Sequence, residues 1–251
     1  MLSWAQQRKL LFVMGAVALL LAVSGAYGFF AFYNAPNCSN GVEDGNERGI
    51  DCGGDCIRVC AADIVPPIIH FVRAVQIRDD VWGAVAYGEN KNRGVGSRRA
   101  PYVFKLYDDR NLLIYERHGT AFIPPDKVFA IFEGRMFTGG RVPTRTAFDF
   151  EGASTFERMA EPKLTVDTKD FETGAGQSSL RAIITNPTRL PVERIDAIAL
   201  LFGTDGNVSG ASATFISILQ AQSNATLTFT WPRSLPRPAR TEVHYKVLGR
   251  E

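Results

Sequence analysis

The chain opens on an unbroken apolar run and then changes period. From Leu10 to Tyr33 (LLFVMGAVALLLAVSGAYGFFAFY) none of the 24 residues is charged. A helix of that length reaches roughly 36 Å, against a hydrocarbon core about 30 Å thick. Beyond Pro66 and Pro67 the apolar positions fall instead in short segments: WGAVAY at 82–87, YVFKLY at 102–107, VFAIF at 128–132, LRAII at 180–184, IDAIALLF at 195–202 and ATLTFTW at 225–231. Runs rich in Val, Ile, Phe, Tyr and Thr, separated by Asn, Gly, Pro and Asp turns, predict antiparallel strands. No long amphipathic helical pattern accompanies them, and strands at this density predict β-sandwiches. The expected fold is therefore mainly β. It comprises a short N-terminus (1–9), a transmembrane helix (10–33), a cysteine-rich module (34–62) and two tandem sandwiches (63–160 and 161–251).

Charge orients the helix. Arg8 and Lys9 precede the run, and nothing charged follows until Glu43. That asymmetry predicts a cytoplasmic N-terminus and an extracytoplasmic remainder. A cleaved signal peptide is the competing reading, with Ser24 and Ala26 at small-residue positions. Signal cores, however, run about 7 to 15 residues, and this run continues through Phe29, Phe30 and Phe32. Trp4 and Tyr33 fall near the two expected interfaces.

The two predicted sandwiches read as copies. A gapless shift of 96 residues places Asn90 on Asn186, Phe104 on Leu200, Leu106 on Phe202, and Asp109-Arg110-Asn111 on Asp205-Gly206-Asn207. One offset joining several features is the signature of duplication. The charged stretch FERMAEPK at 156–163 and Pro162 put the boundary near Glu161-Pro162.

All four cysteines, Cys38, Cys52, Cys56 and Cys60, fall in one Gly-rich stretch. An even number of close cysteines on the exported side predicts two disulfides, with three connectivities open. Zinc is the alternative, but the first spacing is too long for the usual paired ligands. Between the cysteines Asn40, Asp44, Asn46, Glu47 and Asp51 alternate with glycines, an oxygen-rich pattern that suits calcium. It suits equally a turn-forming loop whose side chains bond their own backbone.

The string C-x-N-G-x-x-D-G-x-E-x-G-x-D-C-G-G-x-C resembles a short cysteine module found just outside the membrane anchor, or between domains, in bacterial surface proteins. FKLYDDRNLL resembles the FxLYD domain, a small immunoglobulin-like sandwich, through Phe104, Leu106, Tyr107 and Asp108. The second copy departs from it, reading LLFGTDGNV. Anchor, module and tandem domains together resemble membrane-anchored envelope proteins of candidate-phylum bacteria. The resemblance implies location and fold, and carries no substrate.

Catalytic chemistry is not legible. His70, His118 and His244 are far apart and form no ligand pair such as H-E-x-x-H. There is no nucleophile elbow and no phosphate-binding glycine motif; GVGSRR at 94–99 is expected to be a hairpin loop. The pairs Asp79-Asp80 and Asp108-Asp109 have glycosidase-like composition, yet both lie at predicted turns, where Asp bonds its own backbone. Trp82 and Trp231 are expected to anchor one core each. A net charge of +2, thinly spread, excludes a nucleic-acid partner. These readings favour a non-catalytic envelope protein, without an organic cofactor, whose partners are the lipid bilayer along residues 10–33 and another envelope protein. A carbohydrate-binding protein or enzyme using an inter-domain cleft, and a calcium-responsive surface protein, are the alternatives.

Overall fold

The computed structural model describes residues 3–32 and 37–248. Tyr33, and the parts of the expected segments at residues 1–2, 34–36 and 249–251, lie outside these.

Helix α1 spans Trp4–Phe32, so it begins six residues before the apolar run. Ser3 caps it: its carbonyl accepts the N–H groups of Gln6 and Gln7, and Gln6 Oε1 accepts the Ser3 N–H at 3.0 Å. Ser-x-x-Gln is a capping-box signature, and it starts the helix within the short N-terminal segment that precedes the apolar run. From Trp4 to Phe30 the helix is long and apolar enough to cross a membrane, and none of it is buried against the protein. Ser24 Oγ donates to the Leu20 carbonyl at 2.6 Å, which satisfies the hydroxyl within the helix.

Among the described residues thirteen strands follow a short 3-10 turn at Ala61–Asp63. The first group is β1 (Ile68–Arg78), β2 (Val81–Asn90), β3 (Val95–Tyr107), β4 (Leu113–Ile123), β5 (Lys127–Phe137), β6 (Arg145–Phe150) and the two-residue β7 (Glu157–Arg158). The second is β8 (Thr165–Gly174), β9 (Gln177–Asn186), β10 (Val192–Phe202), β11 (Val208–Leu219), β12 (Ser223–Trp231) and β13 (Arg240–Val247). All ladders between these strands are antiparallel. The sheets run β1-β2-β5 and β4-β3-β6, with β7 on β3, then β8-β9-β12 and β11-β10-β13. Counted from the first strand of each group, strands one, two and five form one sheet and strands four, three and six the other, in both groups. The connectivity is thus the same twice. Among the described residues no ladder joins a strand before Glu161 to one after it.

Each pair of sheets closes on its own core. Ala84, Ala86, Phe129 and Ile131 from one sheet meet Tyr102, Phe104, Leu106, Ile123 and Phe148 from the other. In the second group Leu180, Ala182, Ile184, Leu227, Phe229 and Trp231 meet Ile195, Ala197, Ala199 and Leu201. Trp231 is buried as expected, whereas Trp82 is only half-buried at the edge of the first core.

A third apolar cluster joins the groups. Val75 and Val85, on the outer face of β1-β2-β5, pack against Leu200, Phe202, Val208 and Ala211, on the outer face of β11-β10-β13. The chain is therefore a stack of four sheets whose two inner members are buried on both faces. That explains the nearly continuous apolar texture of WGAVAY and IDAIALLF, since a strand covered on both sides has no polar face to alternate with. The outward faces at the ends of the stack carry ion pairs instead. Lys105 meets Glu116 at 3.7 Å at one end, and Arg181 meets Asp170 at 3.0 Å at the other. The same contact does not repeat, because those faces are polar.

The gapless 96-residue register needs correction along β3 and β10. The hairpin bonds Asp108 N–H to Leu112 O and Asn111 N–H to Asp108 O are matched by Gly203 N–H to Asn207 O and Gly206 N–H to Gly203 O. Asn111 and Gly206 both have positive φ, 58° and 75°. The offset there is 95, so Leu106 corresponds to Leu201 and Asp108 to Gly203. Successive strand residues face opposite ways, and a slip of one residue exchanges the faces. Leu200 and Phe202 point to the third cluster, whereas Phe104 and Leu106 point into the first core. The two turns nevertheless occupy the same hairpin, between strands three and four of each group.

Candidate functional site

Cys38 is bonded to Cys56 and Cys52 to Cys60, with Cα–Cα separations of 5.6 and 5.0 Å. The four sulfurs are spent on these bridges, which leaves no thiolate for zinc. The expected calcium residues are engaged within the module. Asp51 Oδ1 accepts the N–H groups of Asn40 at 2.8 Å and Gly41 at 3.1 Å. Glu47 Oε2 accepts those of Asp44 and Asp51, each at 3.2 Å. Asp44 Oδ2 accepts from Asn40 Nδ2 at 2.6 Å, and Asn46 Nδ2 donates to Asp55 at 2.7 Å. The bonds from Asp51 and Glu47 satisfy backbone N–H groups of the loop, which is turn chemistry. Among the described residues the grouping with metal-ligand proximity is Cys38, Glu47 and Cys56, and two of its three atoms are the sulfurs of one disulfide.

The charged stretch used to place the boundary, FERMAEPK, holds this module to the first sandwich. Val59 N–H donates to Phe156 O at 2.9 Å, and Arg158 N–H to Ile57 O at 2.8 Å. Arg158 Nη1 donates to the carbonyls of Gly54 and Cys56 at 2.8 and 3.0 Å. Phe156 is buried in the first core, and Glu157 and Arg158 pair with Gly96 and Val95. The segment is a two-sided clasp, and its charged letters concealed that. GVGSRR likewise proves to be mostly the start of β3 rather than a hairpin loop, with Arg98 paired to Glu157.

The junction between the sandwiches is the best-built polar and aromatic constellation. Phe71 stacks on Tyr87 with centroids 4.9 Å apart, and Phe202 meets each ring edge-on at 6.4 Å. Tyr87 Oη donates to Glu242 Oε2 at 3.0 Å, which His244 Nε2 also approaches at 3.1 Å. Burial first, and then the hydrogen bond to Glu242, push the Tyr87 phenol up to about 12. The hydrogen bond from His244, more than that from Tyr87, holds the Glu242 carboxyl below the usual carboxylate range. Arg233 Nη1 reaches Gln76 Oε1 at 3.0 Å, and Lys127 Nζ reaches the buried Glu161 carboxylate at 2.7 Å. Sequence reasoning missed the constellation because the contacts that assemble it, Tyr87 with Glu242, Phe71 with Phe202, Gln76 with Arg233 and Lys127 with Glu161, join residues more than thirty positions apart through the fold.

The catalytic candidates are not brought together. His70 lies beside Glu89 at 3.4 Å, His118 between Glu116 and Glu151, and His244 at the junction. Asp108 serves its turn: Oδ1 accepts from the N–H groups of Arg110 and Leu112, and Oδ2 meets Arg141 at 2.8 Å. The cleft between the sandwiches holds about 160 Å³. Its one acidic side chain, Asp196, is 3.3 Å from Lys246.

No family model matches the sequence, and no curated protein matches it. Among solved structures red sea bream transglutaminase aligns over 70% of this chain and 29% of its own, at 12% identity and a TM-score of 0.23. That likeness is too slight to bear on fold or activity.

Proposed function

We propose that the chain is a non-catalytic, membrane-anchored protein of the cell envelope, in which two copies of one sandwich unit, residues 63–160 and 161–251, act as a stiff stalk for interaction with another envelope protein. In this reading α1 is retained as the anchor, the N-terminus is cytoplasmic, and the units are FxLYD-like. The observation that carries it is the junction. The sheets β1-β2-β5 and β11-β10-β13 bury Val85, Leu200 and Phe202 against one another, where a substrate-binding protein of two domains would keep an open cleft. A small-molecule site commonly occupies about 300–1,000 Å³, and the space at this junction is about 160 Å³. Rigidity costs less on binding than a flexible tether does, because the partner need not order it.

The test is in two parts. Protease added to cells with the wall removed should digest everything beyond α1; protection until the membrane is breached would reverse the topology. A photoreactive side chain in place of Phe215, which is 70% exposed on β11, should capture one reproducible envelope protein. Failure to capture any, at Phe215 and at the equally prominent Leu190, would sink the interaction reading.

A further inference from the structure

The cystine module does not close flush against the first sandwich. Between them runs a groove of about 550 Å³, walled by Ile50 and Ile64, by Pro66 and Pro67, and by Phe150 and Phe156. Its volume lies within the roughly 300–1,000 Å³ usual for a ligand site, and its lining is mainly apolar, with Ser154 and Thr155 as polar members and Arg58 as the one charged residue. The other cations nearby are engaged: Arg48 meets Asp63 at 3.0 Å, Arg98 is paired with Glu157, and Arg158 donates to the carbonyls of Gly54 and Cys56. Among the described residues Arg58 has no carboxylate within ion-pairing distance.

Two features of the groove define what fits. The groove has the polarity of an amphiphile, a mainly apolar trough whose one charged lining residue is the exposed Arg58. It is also tied to the end of α1. From Phe32 to Asn37 there are five Cα steps, which span at most about 19 Å. The chain then enters the module at Cys38, whose disulfide partner Cys56 stands two residues from Arg58. A bilayer containing α1 therefore keeps its own lipids within reach of the groove.

We propose that this groove binds an anionic phospholipid of the surrounding bilayer, one acyl chain lying between the module and the sandwich and the headgroup phosphate meeting Arg58. The bound lipid would seat the stalk on the membrane surface and fix its angle there. The inference rests on the reading of α1 as a membrane span.

The full chain is reconstituted in nanodiscs of phosphatidylcholine containing a little phosphatidylglycerol with a photoreactive diazirine in its acyl chain, and adducts are mapped by mass spectrometry. Adducts are expected on α1 and on peptides covering residues 50–67 and 150–156. Arg58→Ala should lower the groove adducts on the order of fivefold with α1 labelling unchanged. Ala153→Trp, at an exposed position on the groove wall, should abolish them with Arg58 intact. Labelling confined to α1, or equal labelling by a phosphatidylcholine probe, would overturn the lipid site and leave the anchor standing. An unlabelled α1 would overturn the anchor and the lipid site together.

Discussion

Asn90 and Asn186 end the second strand of their respective sandwiches and make the same hydrogen bonds. Asn90 Nδ2 donates to Val95 O and Pro124 O, and its Oδ1 accepts from Asn92 N–H. Asn186 Nδ2 donates to Leu190 O and Gln220 O, and its Oδ1 accepts from Thr188 N–H. Both side chains are buried. Each closes the connection to the third strand and clamps the turn before the fifth, where Asp126 and Gln222 hold positive φ and donate to Asn92 O and Thr188 O. One difference is informative: Asn90 reaches five residues ahead and Asn186 four, which is where the 96-residue register becomes 95.

Removing either amide leaves buried carbonyls without a donor, which costs about 2–3 kcal/mol. Asn186→Ala and Asn90→Ala should each lose about that much in urea denaturation. Asn186→Asp should lose more at neutral pH, since a carboxylate would face carbonyl oxygens. Losses within about 0.5 kcal/mol, typical of surface changes, would remove these residues from the account of the fold.

What was legible in the sequence follows from which interactions are local. The six segments named from their apolar pattern all lie inside strands, because side-chain alternation and flanking turns are written in consecutive residues. β8 (TVDTKDFETG) and β11 (VSGASATFISIL) were not named: one is a polar edge strand, and the other carries small residues. Burial on both faces of β2 and β10 is a property of the stack, so sequence pattern alone could not separate Leu200 from Leu201. The Cys pairing needed geometry for the same reason. The Ser3–Gln6 cap, by contrast, is local, and its Ser-x-x-Gln spacing is present in the sequence itself.

The junction should govern how the molecule unfolds. Val85 is fully buried against the second sandwich, yet it lies on the outer face of its own sheet. Val85→Asp should therefore separate the sandwiches and leave both folded. Calorimetry of the parent should give one transition and the variant two, with a larger radius of gyration by X-ray scattering. Phe202→Ala should weaken the same contact by about 3–5 kcal/mol. An unchanged single transition and unchanged scattering in Val85→Asp would mean that the cluster does not couple the two.

Acid should loosen this contact through Glu242. Its carboxyl titrates lower in the folded protein than in the unfolded chain, the hydrogen bond from His244 being the first cause. The stabilisation is thus present above the unfolded value, about 4.3, and is lost as pH falls through the folded one. Hydrogen exchange at Phe71–Tyr87 and Ile198–Ala211 should accelerate in that window. Glu242→Gln retains an acceptor for Tyr87 Oη and should flatten the dependence. A variant as acid-sensitive as the parent would assign the effect to other carboxylates.

The disulfides should stabilise more than the module that contains them. They close loops with sequence separations of 18 and 8 residues, for which restriction of the unfolded chain gives about 3 and about 2.5 kcal/mol. The loops overlap, so the two values do not add. Val59 and Ile57 are bonded to Phe156 and Arg158, Phe156 fills the first core, and Arg158 pairs with Val95. Loss of the module should therefore release the clasp and expose the start of β3. In a chain carrying Cys52→Ser and Cys60→Ser, with Cys38–Cys56 intact, amide exchange should rise at Val59, Arg158 and Val95, while β9 and β12 in the second sandwich stay protected. Protection at Val95 and Arg158 equal to that of the parent would show that the clasp holds without its disulfide, and that the module hangs from the sandwich rather than bracing it.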